Sequence, residues 1–384
     1  MRIGVVTFWH GNGNYGMMLQ CWALQQVLKN LGHNPFVIRF CRPKKKGLPR
    51  KLMEAMGIYG FFLYFINREK YQLNQKKKRH DILRRFEQFR QENLSLSSKK
   101  YSTLQQIRDS PPPADCYIVG SDQVWSQGLD NCNNQVYYLN FGTEKVKRIS
   151  YAPSFGFSKY PDSLLPTLRK ALSRFDAISC REQSGVEICR QLGFEATKVL
   201  DPTMLLDKHY YEAMAAEHRP LTDNPYVFIY SLNIKSSDEI RFEELESYMK
   251  TNALDLVVTP ADGYCQGLEI YGNKAIYSYA TIGQWLSNVL HSSFVITPSF
   301  HGVVLSIILE KPFIYSPFRG QHAGGNERIT GILQALGLEA RMLLDNKSVL
   351  SIIQNNIDWI EVRHKLTKLR NESLSFLSQS LSEK

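Results

Sequence analysis

Twice along this chain, short β-branched apolar runs alternate with segments of helical periodicity, and that alternation leaves few architectures open. Arg2 to Trp9 is an apolar run, followed by Gly11-Asn12-Gly13-Asn14-Tyr15-Gly16. Met17, Cys21, Leu24, Leu28 and Leu31 then recur at three- and four-residue spacing, with Gly32 placed as a C-terminal cap. Pro35 to Phe40 reads as a second strand and completes a β-loop-α-β unit. The pattern resumes with strands at Cys116–Val119, Ile149–Ala152, Ala177–Cys180 and Lys198–Leu200, and helices at Leu164–Phe175 and Gln183–Leu192. Arg219-Pro220-Leu221-Thr222-Asp223-Asn224-Pro225 breaks the rhythm as a linker would. A second series follows, with strands at Tyr226–Tyr230, Leu254–Val258, Phe294–Thr297 and Phe313–Ser316, and helices at Glu239–Lys250, Ile282–Leu290 and Val303–Leu309. Short buried strands of this kind belong to parallel sheets covered on both faces. The expectation is an α/β protein of two doubly wound, Rossmann-like domains facing a cleft. Residues 1–218 form the first, with a basic helical insertion at about 42–95; residues 219–345 form the second, and 346–384 a long terminal helix. Ligands in such folds sit at the carboxyl ends of the strands.

Hydrophobic residues at 43% and charged residues at 22% are ordinary globular values and exclude a disordered chain or a fibre. Met1-Arg2-Ile3-Gly4-Val5-Val6 enters a strand at once, without a signal-peptide pattern, so a cytoplasmic protein is expected. The seven cysteines form no C-x-x-C pair, which argues against a disulfide framework and a zinc site. Residues 41–92 carry fifteen Lys or Arg against five Asp or Glu, and so hold nearly all of the +11 net charge. Within that stretch lies the apolar run Gly57–Ile66, too short for a bilayer that needs about 20 residues. Two readings fit it: a helical insertion packed on the first domain, or an interfacial anchor whose lysines at 42–79 reach an anionic membrane surface from the cytoplasmic side. Aromatic and basic groups are not interleaved on a nucleic-acid module, so no nucleic-acid partner is expected.

Five motifs stand where chemistry would be done. Gly11, Gly13 and Gly16 match G-x-G-x-x-G, but the second strand ends at Arg39-Phe40-Cys41-Arg42 without the acid that holds a ribose, leaving only a phosphate-bearing dinucleotide through Arg39 or Arg42. A helix start that donates amides to a polar ligand fits better. Gly120-Ser121-Asp122-Gln123-Val124-Trp125 offers a hydroxyl, a carboxylate, an amide and a ring, a mixture suited to sugars; Asp122 either takes a hydroxyl proton or caps a helix, and Trp125 could stack on a pyranose. Arg181-Glu182 at a strand end suits a carboxylate or phosphate, or forms an internal pair. Ser299-Phe300-His301-Gly302 puts a histidine at a strand end and helix start, with Gly302 leaving room for a ligand. In Gly324-Gly325-Asn326-Glu327-Arg328, an arginine in the first helical turn opposes the dipole and calls for an anion.

Taken in order, Asn14-Tyr15-Gly16 with Leu19-Gln20, Gly120–Trp125, Ile149–Ser154, Arg181-Glu182, Leu200-Asp201-Pro202-Thr203, Ser299–Gly302 and Asn326-Glu327-Arg328 resemble the polysaccharide pyruvyl transferases. The resemblance spans about residues 3–335. It implies a glycosyltransferase type B-like fold, phosphoenolpyruvate as co-substrate, and a sugar in a polysaccharide or polyprenyl-linked oligosaccharide as acceptor. It carries His301 over as the general acid and Arg181 as a donor-binding residue. Some members have arginine two residues before the histidine, where this chain has Ser299; Arg328 or Lys235 would replace that cation.

The site expected is therefore His301 and Asp122 for proton transfer. Arg181, Ser299, Phe300, Gly302, Arg328 and Lys235 would lie around the donor, and Asn14, Tyr15, Gly16, Ser121, Gln123 and Trp125 around the acceptor. No step needs a metal or a redox cofactor. Two other functions fit the same architecture: a glycosyltransferase using a nucleotide-sugar, and a glycan-binding protein with a decayed site.

Overall fold

The computed structural model describes residues 1–42, 79–126, 128–261 and 268–382. The apolar run at 57–66 and the lysine clusters around it lie outside the described residues. Twelve strands are seen among the rest: β1 Arg2–Val6, β2 Asn34–Phe40, β3 Leu96–Tyr101, β4 Cys116–Val119, β5 Lys147–Ser150, β6 Ser179–Cys180, β7 Thr197–Lys198, β8 Tyr226–Ser231, β9 Asp255–Pro260, β10 Ala275–Tyr277, β11 Phe294–Thr297 and β12 Phe313–Tyr315. They form two five-stranded parallel sheets, ordered β3-β2-β1-β4-β5 and β10-β9-β8-β11-β12. The same order repeats, so each sheet has a topological switch point, between β1 and β4 and between β8 and β11. The short pair β6-β7 extends the first sheet, where the Ser150 amide donates to the Ala177 carbonyl at 3.0 Å.

Alternation along the central strands explains why both faces are covered. Ile3, Val5 and Ile118 fall into one core while Val6, Tyr117 and Val119 fall into the other. The helix Tyr15–Asn30 packs on the first of these faces. Asn14 caps it by accepting the Met17 amide at 3.0 Å, and Gly32, with φ +81°, supplies the left-handed residue past its end. β3 was not expected: Leu-Ser-Ser-Lys-Lys-Tyr is an edge strand whose exposed lysines hide any apolar alternation.

The two sheets are joined by buried contacts. Tyr15 is fully buried; it stacks on Trp285 at 5.1 Å, meets Tyr230 and Phe86 edge-on, and donates its hydroxyl to the Ala280 carbonyl at 2.8 Å. Aromatic pairs of this type contribute about 0.5–1.5 kcal/mol beyond area burial. Arg84, also buried, donates to the Pro260 carbonyl at 2.7 Å. The expected terminal helix is divided, into Val349–Gln354 and Trp359–Ser382, because Asn355 to Asp358 carry Asn and Asp in a turn. Its second part returns to the first half of the chain: Arg370 pairs with Asp207 at 2.6 Å, and the Ser373 hydroxyl accepts the Leu200 amide at 3.0 Å.

Candidate active site

The groups that converge come from strand ends in both halves. Arg181 follows β6, Asp201 follows β7, Ser121 follows β4, and His301 stands in the first turn of the helix Phe300–Ile308 that follows β11. Asp201 is their centre. Its Oδ2 accepts from the Ser121 hydroxyl at 2.6 Å and from Arg181 Nη1 at 3.1 Å, and lies 3.6 Å from His301 Nε2. Its Oδ1 accepts the Thr203 amide and hydroxyl at 3.0 and 2.7 Å. Burial alone would raise the Asp201 carboxyl, but His301, Arg181 and Ser121 outweigh it and hold the group far below the usual carboxylate range.

Arg181 is held by two devices and left free by a third. Its guanidinium lies over the Phe300 ring, 4.6 Å from the centroid, and its Nη1 is tied to Asp201. Its Nε and Nη2 are buried and have no hydrogen-bond partner among the described residues. Leaving charged donors unpaired is costly, at roughly 1–3 kcal/mol or more per group, so these two nitrogens are suited to an arriving acceptor. Both Arg181 and Arg328 line a cavity of about 470 Å³, bordered also by Glu182, Lys198, Asp201, Phe300 and Glu327. Burial, and then the like charge of Arg181, press the Arg328 pKa down to about 10.

Asp122 is half-buried at φ 79°, a conformation that costs a non-glycine residue of order 1–3 kcal/mol and clusters at functional sites. Its carbonyl accepts the Val124 and Ser154 amides at 2.8 and 2.9 Å, which fixes the turn. It is close enough to Arg328 to favour that residue's charge. Asp122 thus stands beside the Arg181–Arg328 cavity without lining it.

Several expected ligand contacts take structural roles instead. Trp125 is 0% exposed; it stacks on Tyr138 at 5.3 Å and donates to the Tyr137 carbonyl, so it offers no face to a sugar. Tyr15 is sealed between the sheets as described above. Ser121 is buried and spends its hydroxyl on Asp201. Gly302 makes room for Thr297 and not for a ligand, since an added Cβ would stand 2.6 Å from the Thr297 methyl. Its amide donates to the Ser299 hydroxyl at 3.4 Å, so Ser299 is the helix cap. Gly16 admits the His301 ring. Gln123 is half-buried beside Gly156, and exposed Lys235 does not line the cavity.

Other partners in the site carry no local signal in the sequence. Asp201 was seen only within an Asp-Pro-Thr motif, and its two-residue link to Thr203 looks like an ordinary local cap. Glu327 accepts the Ser184 amide and hydroxyl at 3.2 and 2.9 Å, tying the two halves together, and Asn326 holds Tyr315 and the Phe318 backbone. Nothing in local sequence could have shown those pairings. Among the described residues no cluster of His, Cys, Asp or Glu could hold a metal ion, and no helix is long and apolar enough to cross a membrane.

Two sheets with strand order repeated and a site gathered from strand ends of both halves define a two-domain α/β protein of the glycosyltransferase type B kind. A solved structure bears out that fold. A protein described as a UDP-N-acetylglucosamine 2-epimerase from Listeria monocytogenes is similar with a TM-score of 0.52, at 10% identity, covering 96% of this chain and 90% of that one. The UDP-GlcNAc 2-epimerase from Neisseria meningitidis gives a TM-score of 0.48 at 10% identity, covering 99% of each chain. Residues 14–316 match the profile of the polysaccharide pyruvyl transferase family, and the chain belongs to that family. No curated protein matches it.

Proposed function

We propose that this protein transfers the pyruvyl group of phosphoenolpyruvate to two hydroxyls of one sugar, in a polysaccharide or lipid-linked oligosaccharide precursor, and closes a cyclic ketal. The observation that carries the reading is the pairing of Arg181 and Arg328 in one cavity, with two buried Arg181 nitrogens unsatisfied, beside the His301–Asp201 pair. Phosphoenolpyruvate carries a carboxylate and a phosphate, and two arginines suit the two anions. His301 Nε2, which lies 3.6 Å from Asp201 Oδ2 and has no hydrogen-bond partner among the described residues, holds the proton for the methylene carbon. That protonation makes C2 electrophilic. Asp122 takes a hydroxyl proton on the acceptor side. The basic stretch at 42–79 brings the enzyme to an anionic membrane surface carrying the acceptor; failure to sediment with anionic vesicles at low salt would remove this part.

The decisive experiment is mass spectrometry of candidate lipid-linked glycans incubated with phosphoenolpyruvate. Addition of a pyruvate ketal with release of inorganic phosphate is the expected result. Release of a nucleoside diphosphate from a sugar nucleotide, with no ketal, would establish the glycosyltransferase reading in its place.

A further inference from the structure

The donor cavity contains a carboxylate that a site made only to bind an anion would not keep. Glu182 is 3% exposed and lines the cavity next to Arg181 and Arg328. Its Oε1 accepts the Phe155 amide at 2.7 Å, which fixes the side chain, while its Oε2 is buried with no hydrogen-bond partner among the described residues. The other carboxylates around the cavity differ. Asp201 is saturated by Ser121, Arg181 and Thr203, Glu327 is occupied by Ser184, and Glu372 is exposed. The Glu182 side chain makes no hydrogen bond to the helix that it precedes, so side-chain capping does not account for it.

A buried, unpaired carboxylate oxygen is costly. It also repels a polyanionic donor. The charge of Arg328, which Glu182 favours, offsets part of that cost, and an O–H group that comes to the free oxygen during the reaction offsets more. The reading above supplies one, because ketal formation strips a proton from each of two hydroxyls, and the departing phosphate needs one proton.

We infer that Glu182 is a catalytic acid–base that carries the first hydroxyl proton to the leaving phosphate. The inference rests on the pyruvyl transfer proposed above. In the first half-reaction His301 Nε2 gives its proton to the methylene carbon, a bond forms between C2 and the sugar oxygen, and the hydroxyl proton passes to Glu182 Oε2. In the second, Glu182 returns that proton to the bridging oxygen as the bond from C2 to that oxygen breaks, and phosphate departs with the bonding pair. The second hydroxyl then adds to C2 as Asp122 takes its proton, which solvent relays to His301. Two hydroxyl protons enter; one ends on the methyl group and one on phosphate, and both side chains finish as they began.

The test uses the full chain with Glu182→Gln, whose carbonyl still accepts the Phe155 amide. Phosphate release from phosphoenolpyruvate is followed with lipid-linked glycan extract and with methyl glycosides of galactose, glucose and mannose, and donor Kd by calorimetry. Turnover should fall by about 10² to 10⁴ while donor Kd is unchanged or lower, since a repelling charge is gone. Glu182→Ala with added formate should regain turnover at least tenfold over the same variant without it. Turnover of Glu182→Gln within threefold of wild type, or a raised Kd with unchanged kcat, would overturn the inference and leave Glu182 structural. A wild type that neither binds phosphoenolpyruvate nor releases phosphate sinks the transferase reading and this inference with it.

Discussion

Gly16 and His301 meet so closely that a methyl group on Gly16 would lie 2.0 Å from the histidine Nδ1. The helix after β1 and the helix after β11 therefore touch at the imidazole itself. Alanine would otherwise favour the helix by roughly 0.5–1 kcal/mol. Gly16→Ala should nonetheless turn the His301 ring away from Asp201 and lower kcat at least tenfold, with donor Kd little changed. His301→Gln should lose more, by a factor of about 10² to 10⁴. Steady-state phosphate release decides it: near-normal kcat in His301→Gln would remove the histidine from the chemistry.

Asp201 holds three groups at once, and its loss should be felt first in stability. Asp201→Asn leaves Arg181 buried without its counter-charge, a change that costs about 3–5 kcal/mol where a buried pair is broken. The folded pKa lies below the unfolded value of about 3.9, so the carboxylate's contribution is fully present above that value and is lost as the pH falls toward the folded one. The gap between wild type and variant in denaturant melts should be flat near neutrality and should narrow in acid. A variant as stable as wild type at neutral pH would mean that Arg181 is neutralised by something else.

How far the chain could be read depended on the range of the interactions. Strands such as Phe294–Thr297 and Cys116–Val119, buried on both faces, announce themselves by continuous apolar runs, and their places were legible. His301, Arg181 and Arg328 stood out in the sequence by their place at strand ends or helix starts, and the structure brings Arg181 and Arg328 to one cavity with His301 beside Asp201. Trp125 and Tyr15 misled, since an aromatic residue next to polar motifs looks the same whether it faces a sugar or the core. Asp201 and Glu182 could not be ranked because their meaning comes from residues 80 and 27 positions away, Ser121 and Phe155.

The charge on Arg328 is kept at a cost in the free protein. Its folded pKa, near 10, lies below the unfolded value, so the charged form destabilises the free protein at every pH below about 10. That cost is relieved as pH rises from there toward the unfolded value. Phosphoenolpyruvate should therefore raise Tm near neutral pH, and the rise should shrink as pH passes 10. Arg328→Gln should be at least as stable as wild type without ligand and should lose most of the ligand-induced shift. A full shift in that variant, read by differential scanning fluorimetry, would place the donor elsewhere.

Arg181 and Phe300 separate charge from shape. Lysine at 181 keeps the positive charge near Asp201 but gives up the planar fork and the stacking over the Phe300 ring. Arg181→Lys should therefore raise donor Kd at least tenfold, about 1.4 kcal/mol, even though the net charge of the cavity is unchanged. Phe300→Leu keeps the fork and removes only its platform, which contributes about 0.5–2 kcal/mol in cation–π contacts. It should fall between wild type and Arg181→Lys in donor Kd, with kcat reduced less than Kd is raised. The order wild type, Phe300→Leu, Arg181→Lys is the expected one in calorimetric titration of phosphoenolpyruvate. If Arg181→Lys binds the donor as tightly as wild type does, the two unsatisfied nitrogens do not meet it, and Arg181 acts only through its pair with Asp201.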